Sequence, residues 1–210
     1  MTQATTLYLV RHGETAWNAS ERCQGSLDIP MNDNGVRQAR LAGNALRHIV
    51  FDAAYTSGLG RAQQTAAAIL DGSALTAVPI ADLSELSYGD WHGLRPDEWP
   101  NDTAARWRRD PWSVAFPGGE SLTVLRNRVI PAFRRIAANH AGQRILIASH
   151  GHVNRVMLIH AMGTDPATFW EIEQANGAVI ELTLVDVDAR GEGATWRYVF
   201  PQPQTNTTAK

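Results

Sequence analysis

The chain has 210 residues, which suffices for one domain with its own hydrophobic core, whereas two full domains would be small. Its formal net charge of −2 gives no general attraction to nucleic acid or to anionic membranes, so any anion must be bound locally. No apolar stretch approaches the roughly 20 residues of a membrane span, and a single cysteine, Cys23, excludes an intrachain disulfide. The N-terminus lacks the pattern of a secretory signal. We therefore expect a soluble, cytoplasmic protein without nucleic-acid or membrane partners.

The first part of the chain alternates between predicted strands and predicted helices. An apolar strand is predicted at residues 7–10, and a helix at 34–48 has Asn32 and Asp33 as candidate caps. The next predicted elements, in order, are a strand at 53–55, a helix at 59–70 and a short strand at 78–80. This alternation is typical of a parallel sheet covered by helices.

The alternation stops at a segment rich in tryptophan, proline and charge. We expect residues 94–119 to form a lid, and we expect at least two of Trp99, Trp107 and Trp112 to anchor it to the body. A helix is predicted next, because apolar residues recur at helical spacing: Leu122, Leu125, Val129, Phe133 and Ile136. The last predicted elements are strands at 144–148, 178–185 and 195–200, with a glycine-rich turn near Gly191 and Gly193.

These elements predict an α/β fold, specifically a three-layer α/β/α sandwich. We expect a mostly parallel sheet with an antiparallel edge strand, and a small lid insertion. One domain would cover residues 1–200, with the lid at about 94–119, and residues 201–210 would form a polar, disordered tail. A homodimer through a sheet edge or through the lid is one hypothesis for its assembly.

Two predicted strands run directly into reactive side chains. The strand at 7–10 is followed by Arg11 and His12, and the strand at 144–148 is followed by Ser149 and His150. Because the carboxyl ends of parallel strands meet at one edge of a sheet, we expect a cationic pocket there. A phosphoryl group suits such a pocket, since guanidinium and imidazole groups stabilise its charged oxygens. The chain has no GxxxxGK[ST] motif and its one lysine is Lys210, which argues against P-loop chemistry.

Four segments of the chain contain closely spaced reactive residues: Arg-His-Gly-Glu-Thr at 11–15 with Asn18, the segment 57–66 with Arg61, the segment 85–93 beginning with Glu85, and Ser-His-Gly at 149–151. In this order they resemble the histidine phosphatase superfamily, which includes the cofactor-dependent phosphoglycerate mutases. The resemblance implies that His12 is the nucleophile and becomes a phosphohistidine, which splits hydrolysis into two displacements. It also implies a set of phosphate-binding residues, namely Arg11, Asn18, Arg61, His150 and Gly151.

The resemblance assigns the acid–base role to Glu85, which would protonate the departing alkoxide and then activate water. Asp82 and Asp90 are rival acids nearby, and the Glu-x-x-x-Gly pattern decides in favour of Glu85. A zinc site is a further alternative, because His12, Glu14, His150 and His152 offer nitrogen and oxygen ligands. A metal-bound histidine is not a free nucleophile, and Arg11 would repel the ion. We therefore expect no metal and no cofactor, with His152 on the next helix, at the pocket rim or in packing.

Two activities within the superfamily fit the site, and they differ outside the catalytic core. Mutases that resemble this chain have a longer insertion with a lysine and paired arginines for the sugar-acid carboxylate. Residues 94–119, about 26 residues, contain no lysine, whereas Arg106, Arg108 and Arg109 could either reach a second anionic group or be solvated. We favour a metal-independent phosphomonoester hydrolase acting on a small phosphorylated metabolite. The alternatives are a 2,3-bisphosphoglycerate-dependent phosphoglycerate mutase and a non-catalytic module that binds phosphate ligands.

Overall fold

A computed structural model describes residues 4–100, 102–185 and 193–201 of the chain. Six strands form one sheet: β1 (Thr5–Arg11), β2 (Ala53–Thr56), β3 (Val78–Pro79), β4 (Arg144–Ser149), β5 (Val179–Leu184) and β6 (Thr195–Phe200). The helices are α1 (Ala16–Ala19), α2 (Asp33–Leu46), α3 (Gly60–Ile69), α4 (Thr103–Arg109), α5 (Leu122–Asn139) and α6 (Gly151–Met162). Short 3₁₀ turns lie at Ala81–Leu83, Gly89–Trp91, Pro96–Glu98, Pro111–Ser113 and Pro166–Trp170.

The strand order is β3-β2-β4-β1-β5-β6. Strands β1 to β4 run parallel, whereas β5 is antiparallel to both of its neighbours, β1 and β6. The α/β fold with a mostly parallel sheet is therefore confirmed, and its antiparallel pairings lie at the β5–β6 side. The register places Arg11 beside Ser149, and Thr56 beside Ala148, so the carboxyl ends of β1, β2 and β4 meet at one edge.

Helices cover both faces of the sheet, which makes the structure three-layered. Leu7 and Leu9 of β1 belong to the cluster packed by α5 and α6, whereas Tyr8 and Val10 belong to the cluster packed by α2 and α3. These four side chains are at most 4% exposed. A central parallel strand is buried on both faces and therefore needs an unbroken apolar run, as 7–10 provides.

The predicted helices are present, with ends fixed by local hydrogen bonds. Asn32 caps α2 by accepting a hydrogen bond from the backbone N–H of Gly35 at 2.8 Å, while Asp33 is the first helical residue. The helix ends at Leu46, two residues before the predicted end at 48. Ser121 caps α5, whose apolar stripe faces the core.

The lid segment, residues 94–119, is more regular than the sequence suggests. It contains α4, which the sequence analysis did not predict, between two 3₁₀ turns. The buried rings of Trp99, Trp107 and Phe116 join the main core cluster. The anchoring role predicted for the tryptophans is confirmed for Trp99 and Trp107, because burying these large rings holds the lid segment on the body.

Parts of two predictions lie outside the described residues. They are the tail at 202–210 and the portion of the glycine-rich turn that includes Gly191. Within the ranges that the structure describes, no helix is long and apolar enough to cross a bilayer.

Candidate active site

The candidate site lies at the shared carboxyl edge of β1, β4 and β2. The backbone N–H of His12 donates to the Ser149 carbonyl at 3.0 Å, and that of Ser57 donates to the Ala148 carbonyl at 3.2 Å. These bonds continue the sheet pairing one residue beyond the strands. They bring the residues after three strands together, where open α/β sheets place ligands.

His12 is buried and held in one tautomer. Its Nδ1 lies 2.7 Å from the carbonyl oxygen of Gly13, and His12 as a whole is only 1% exposed. Because a carbonyl oxygen can only accept, Nδ1 carries the proton and Nε2 holds the lone pair. Burial first, and then the neighbouring His150 and the charges of Arg61 and Arg11, keep the pKa of His12 well below its ordinary value. His12 is therefore neutral near pH 7, with a nucleophilic Nε2.

Gly13, which follows His12, lies where the backbone of this loop closely contacts the backbone of α2. A Cβ at this position would lie 2.2 Å from the carbonyl oxygen of Gly35, at the start of α2. The N–H of Gly13 donates to Thr65 Oγ1 at 3.1 Å. The glycine is thus required by the approach of α2, and this contact fixes the loop that carries His12.

His150 packs beside His12, with the two ring centroids 5.1 Å apart. Its Nε2 is 2.8 Å from Ser57 Oγ, which in turn accepts from the N–H of Leu59. The ring is completely buried, and its Nδ1 has no hydrogen-bond partner among the described residues. Burial and the nearby Arg61 guanidinium hold the pKa of His150 well below its ordinary value. A buried nitrogen without a partner is suited to a ligand atom.

Arg61 is completely buried in the second residue of α3. Its two terminal nitrogens donate to the carbonyls of Gly25 and Leu27, each at 2.6 Å, whereas its Nε is buried and unpartnered within the described part of the chain. Burial lowers the pKa of Arg61 to about 10, so the group still carries its charge at neutral pH. The two carbonyl contacts fix the plane of the guanidinium.

Arg11 is fixed from the opposite side of the site. Its Nη1 donates to the carbonyl of Gln174, and its buried Nε lacks a partner in the described ranges. Burial lowers its pKa from the ordinary value. Gly151, the first residue of α6, is buried beside this group, since a Cβ there would lie 3.6 Å from Arg11 Nε. The predicted phosphate residues Arg11, Arg61, His150 and Gly151 are thus brought together.

Glu85 lies in the loop after the 3₁₀ turn Ala81–Leu83 and is 7% exposed. Its Oε1 accepts from the N–H of Leu86 at 2.9 Å, and its Oε2 lies 3.1 Å from His152 Nδ1. Burial acts to raise the pKa of Glu85, but the neighbouring His152 and His150 and the hydrogen bond from the Leu86 N–H together hold it well below its ordinary value. The carboxyl group is therefore ionised when the site holds no anion.

Asn18 lies in the short helix α1, which begins after the loop that follows His12. Its Oδ1 accepts from the N–H of Thr15 at 3.2 Å, from Gln24 at 3.3 Å and from Asn176 at 3.1 Å. The oxygen is thus fully used, which orients the amide so that its NH₂ group is the end left for other contacts. Asn176 also donates to the His12 carbonyl at 3.1 Å, and so links Asn18 to His12.

Several residues of the site were missed by the sequence analysis. Arg155 follows Gly151 by one helical turn, and its Nη1 would lie 3.4 Å from a Cβ at that glycine. Helical spacing from Gly151 could have identified Arg155, because positions four apart share a face. No sequence signal marked Asn176 or Gln174, which approach the site from the loop before β5. Arg106, Arg108 and Arg109 are exposed at the end of α4, where Arg106 contacts the Ser113 carbonyl at 3.4 Å.

The charges of the site do not cancel. Arg11, Arg61 and Arg155 each interact electrostatically with Glu85, the one buried carboxylate among the described residues. Burial and Arg11 lower the pKa of Arg155 to about 10, so all three guanidinium groups remain charged. With both histidines neutral, the buried groups carry two excess positive charges. A phosphomonoester dianion carries the matching charge, close to −2 at neutral pH.

The residues that the structure describes contain no group of three or more His, Cys, Asp or Glu side chains arranged to hold a metal ion. The cations that converge on the site are guanidinium groups. Their planar donors match the oxygens of a phosphoryl group, and they would repel a divalent ion.

Comparisons with known proteins identify relatives of two named activities. The chain is 37% identical over 189 residues to a 2,3-bisphosphoglycerate-dependent phosphoglycerate mutase of Methylobacterium radiotolerans, covering 85% of this chain and 89% of the relative. It is 33% identical over 182 residues to phosphoserine phosphatase 1 of Hydrogenobacter thermophilus, covering 84% and 86%. The crystal structure of the α-ribazole phosphatase from Shigella flexneri aligns with a TM-score of 0.78 at 29% identity, covering 92% and 95%.

The model of the histidine phosphatase superfamily, branch 1, matches residues 7–193. This range includes the four resembling segments, most of β1 and the strands β2 to β5. The names of the relatives include both phosphatases and mutases. The chain belongs to branch 1 of the histidine phosphatase superfamily.

Proposed function

We propose that the protein is a metal-independent phosphomonoester hydrolase that acts on a small phosphorylated metabolite through a phosphohistidine at His12. The observation that carries this proposal is the state of His12. It is neutral, with its lone pair on Nε2, in a buried site with two excess positive charges. A neutral imidazole is a nucleophile, and the excess charge favours a dianionic phosphoryl group.

In the first step, Nε2 of His12 attacks phosphorus and forms a P–N bond as the P–O ester bond breaks. Arg11, Arg61 and His150 stabilise the charge on the phosphoryl oxygens in the transition state. The unpartnered Nε atoms of both arginines and Nδ1 of His150 support this role, because each is a buried nitrogen without a hydrogen-bond partner among the residues described. Asn18 and Gly151 are proposed as further contacts of the phosphoryl group.

Glu85 is the proposed general acid for the leaving alkoxide and the general base for the attacking water. It gives a proton to the departing alkoxide in the first step and takes one from water in the second, after which His12 is free and inorganic phosphate is released. The ionised state of Glu85 in the empty site does not conflict with this role. A bound dianion beside the carboxylate raises its pKa, because like charges disfavour the ionised form.

A phosphoglycerate mutase is the second candidate, and the 37% identical relative from Methylobacterium favours it. A mutase must hold the sugar-acid carboxylate while it returns the phosphoryl group. The segment 94–119 has no lysine for this purpose, and the cluster of Arg106, Arg108 and Arg109 within it is solvent-exposed. These features support hydrolysis, since a site without a carboxylate clamp releases the intermediate to water.

The experiment that tests the proposal measures phosphate release from a panel of phosphomonoesters that includes 3-phosphoglycerate and nitrophenyl phosphate, with a chelator present. A parallel assay primed with 2,3-bisphosphoglycerate measures the formation of 2-phosphoglycerate. We expect chelator-resistant release without isomerisation. Efficient isomerisation with little release would establish the mutase instead, and binding of phosphate esters with no turnover of any would indicate a non-catalytic module.

A further inference from the structure

Ser57 lies beside the site, and the proposed reaction gives it no role. It follows β2 directly, and both Ser57 and His150 are completely buried. Its Oγ lies 2.8 Å from Nε2 of His150 and accepts from the backbone N–H of Leu59 at 3.3 Å. The hydroxyl group thus joins the turn before α3 to one of the two buried imidazoles of the site.

The two hydrogen bonds of Ser57 indicate where its hydroxyl proton points. A hydroxyl group has one proton to donate, and a buried donor without an acceptor is costly. Within the ranges that the structure describes, Nε2 of His150 is the one acceptor in reach of this proton. If Nε2 carried a proton of its own, Ser57 would accept both bonds and bury its O–H without a partner. The favoured arrangement therefore has the O–H donating to Nε2.

This arrangement decides the chemistry of the other ring nitrogen. Burial holds the pKa of His150 well below its ordinary value, so near pH 7 the ring carries a single N–H. With Nε2 as an acceptor, that proton is on Nδ1. Nδ1 is buried and has no hydrogen-bond partner in the described part of the chain. It is thus an N–H donor left for a ligand oxygen, whereas the other tautomer would present a lone pair that repels such an oxygen.

Building on the hydrolase proposed above, we propose that Ser57 is a positioning residue that fixes the tautomer of His150, so that Nδ1–H donates to an oxygen of the phosphoryl group. His12, whose Nδ1 is bonded to the Gly13 carbonyl, carries its proton on the same ring atom. The two neighbouring rings nevertheless present opposite nitrogens to the substrate. His12 offers the lone pair of Nε2 to phosphorus, and His150 offers an N–H to oxygen.

The backbone around Ser57 is held independently of its hydroxyl group. The N–H of Ser57 donates to the Ala148 carbonyl at 3.2 Å. The Leu59 carbonyl accepts from the N–H groups of Ala62 and Gln63 at 3.0 and 3.1 Å, which starts α3. Ser57→Ala keeps these bonds and removes the hydroxyl group alone, so we expect the fold to be retained.

The first test measures the tautomer directly in the free protein near pH 7. In NMR spectra of a protein with labelled histidines, the nitrogen chemical shifts distinguish a protonated ring nitrogen from one with a lone pair. The signals of His150 are assigned by their loss in His150→Ala. We expect the proton on Nδ1 in the parent, and both neutral tautomers in Ser57→Ala, as averaged shifts or as two sets of signals.

Ser149→Ala is the matched control for this measurement. It removes a neighbouring buried hydroxyl group, which donates to the Leu83 carbonyl at 3.0 Å, and it should keep the parent tautomer of His150. A parent ring with its proton on Nε2 would overturn the proposal, as would an unchanged tautomer in Ser57→Ala.

The second test measures binding of inorganic phosphate and turnover. Ser57→Ala should bind phosphate about 10-fold more weakly, because Nδ1 is then a donor in only part of the molecules. We expect kcat/KM to fall about 10- to 100-fold, equally for an alkyl ester and for nitrophenyl phosphate, since both transfer the same phosphoryl group. In a His150→Ala background, Ser57→Ala should change phosphate affinity and kcat/KM by about 3-fold or less, because it acts through His150.

Losses that multiply fully in the double variant would overturn the proposal, because Ser57 would then act on something other than His150. Failure of the underlying hydrolase is a separate result. The parent would then turn over no phosphomonoester, whereas the tautomer and the affinity for inorganic phosphate are both measured without turnover.

Discussion

Arg128 and Glu120 form a two-pronged ion pair behind the loop that carries Glu85. Arg128 Nε and Nη2 donate to the two carboxylate oxygens of Glu120, each at 2.8 Å. The remaining donors of the guanidinium reach the carbonyls of Asp82, Ser84 and Glu85 at 2.7–3.1 Å. All five guanidinium N–H groups are therefore used, and the backbone beneath the proposed acid is fixed to α5.

Replacing Arg128 by lysine should loosen this loop, because an ammonium group cannot supply five donors in one plane. We expect the free energy of unfolding to fall by about 2 kcal/mol. We also expect kcat/KM on alkyl esters to fall about 10- to 100-fold through displacement of Glu85. Denaturant unfolding and steady-state kinetics measure the two effects. Arg135→Lys, at an exposed position of the same helix, is the control and should change neither. Parent-like values in Arg128→Lys would show that the pair does not hold Glu85.

Replacing His12 by alanine should abolish turnover, because the nucleophile is lost while the cationic site remains. We expect a loss on the order of 10³-fold or more in kcat for every phosphomonoester. Quenching the parent in alkaline denaturant with a labelled substrate should trap a phosphoramidate, which is stable to base and labile to acid. Retained turnover in His12→Ala, or an intermediate at another residue, would contradict the proposed mechanism.

Replacing Glu85 by glutamine should slow the hydrolysis of esters with poor leaving groups much more than that of esters with good leaving groups. The amide keeps the size of the carboxyl group but cannot donate a proton to an alkoxide, so we expect a loss of about 10²- to 10⁴-fold on alkyl esters. Nitrophenyl phosphate should lose much less in the first step, which is measured as the rate of phosphoenzyme formation. Comparable losses on both substrates would remove Glu85 from the role of acid, and Asp82→Asn and Asp90→Asn would then be examined in the same way.

The two buried histidines should make stability depend on pH. Because burial lowers the pKa of His12 and His150, the unfolded chain binds more protons than the folded protein as the pH falls below about 6.5. Stability should therefore fall with decreasing pH, by up to about 1.4 kcal/mol per pH unit for each histidine. Glu85, whose folded pKa is lowered, adds to the loss only below about pH 4.5.

Denaturant unfolding between pH 7.5 and 5 measures this dependence. His12→Asn should reduce the slope, because one of the two buried imidazoles is gone, whereas the same replacement at the exposed His48 serves as the control. An unchanged slope in His12→Asn would mean that His12 accepts a proton in the folded protein. That result would also count against a neutral nucleophile near pH 7.

Local patterns were sufficient to predict much of the fold and the centre of the site. The apolar run 7–10 predicts a strand that is buried on both faces. Because His12 comes two residues after this run in the sequence, it lies at the edge of the sheet where β1 ends. The same holds for His150 after β4. The helix α4 escaped prediction because its seven residues are too few to show a clear period among prolines and tryptophans.

The order of the residues and their hydrophobic periodicity were enough to predict where the strands end and which reactive residues follow them. Only the tertiary structure decided which distant groups meet there. Glu85 accepts a hydrogen bond from His152, 67 positions away, and the His12 carbonyl accepts one from Asn176, 164 positions away. Such contacts depend on how helices and loops pack over the sheet, and no local pattern encodes that packing. The neutral state of His12 has the same origin, since it arises from burial beside His150, Arg61 and Arg11.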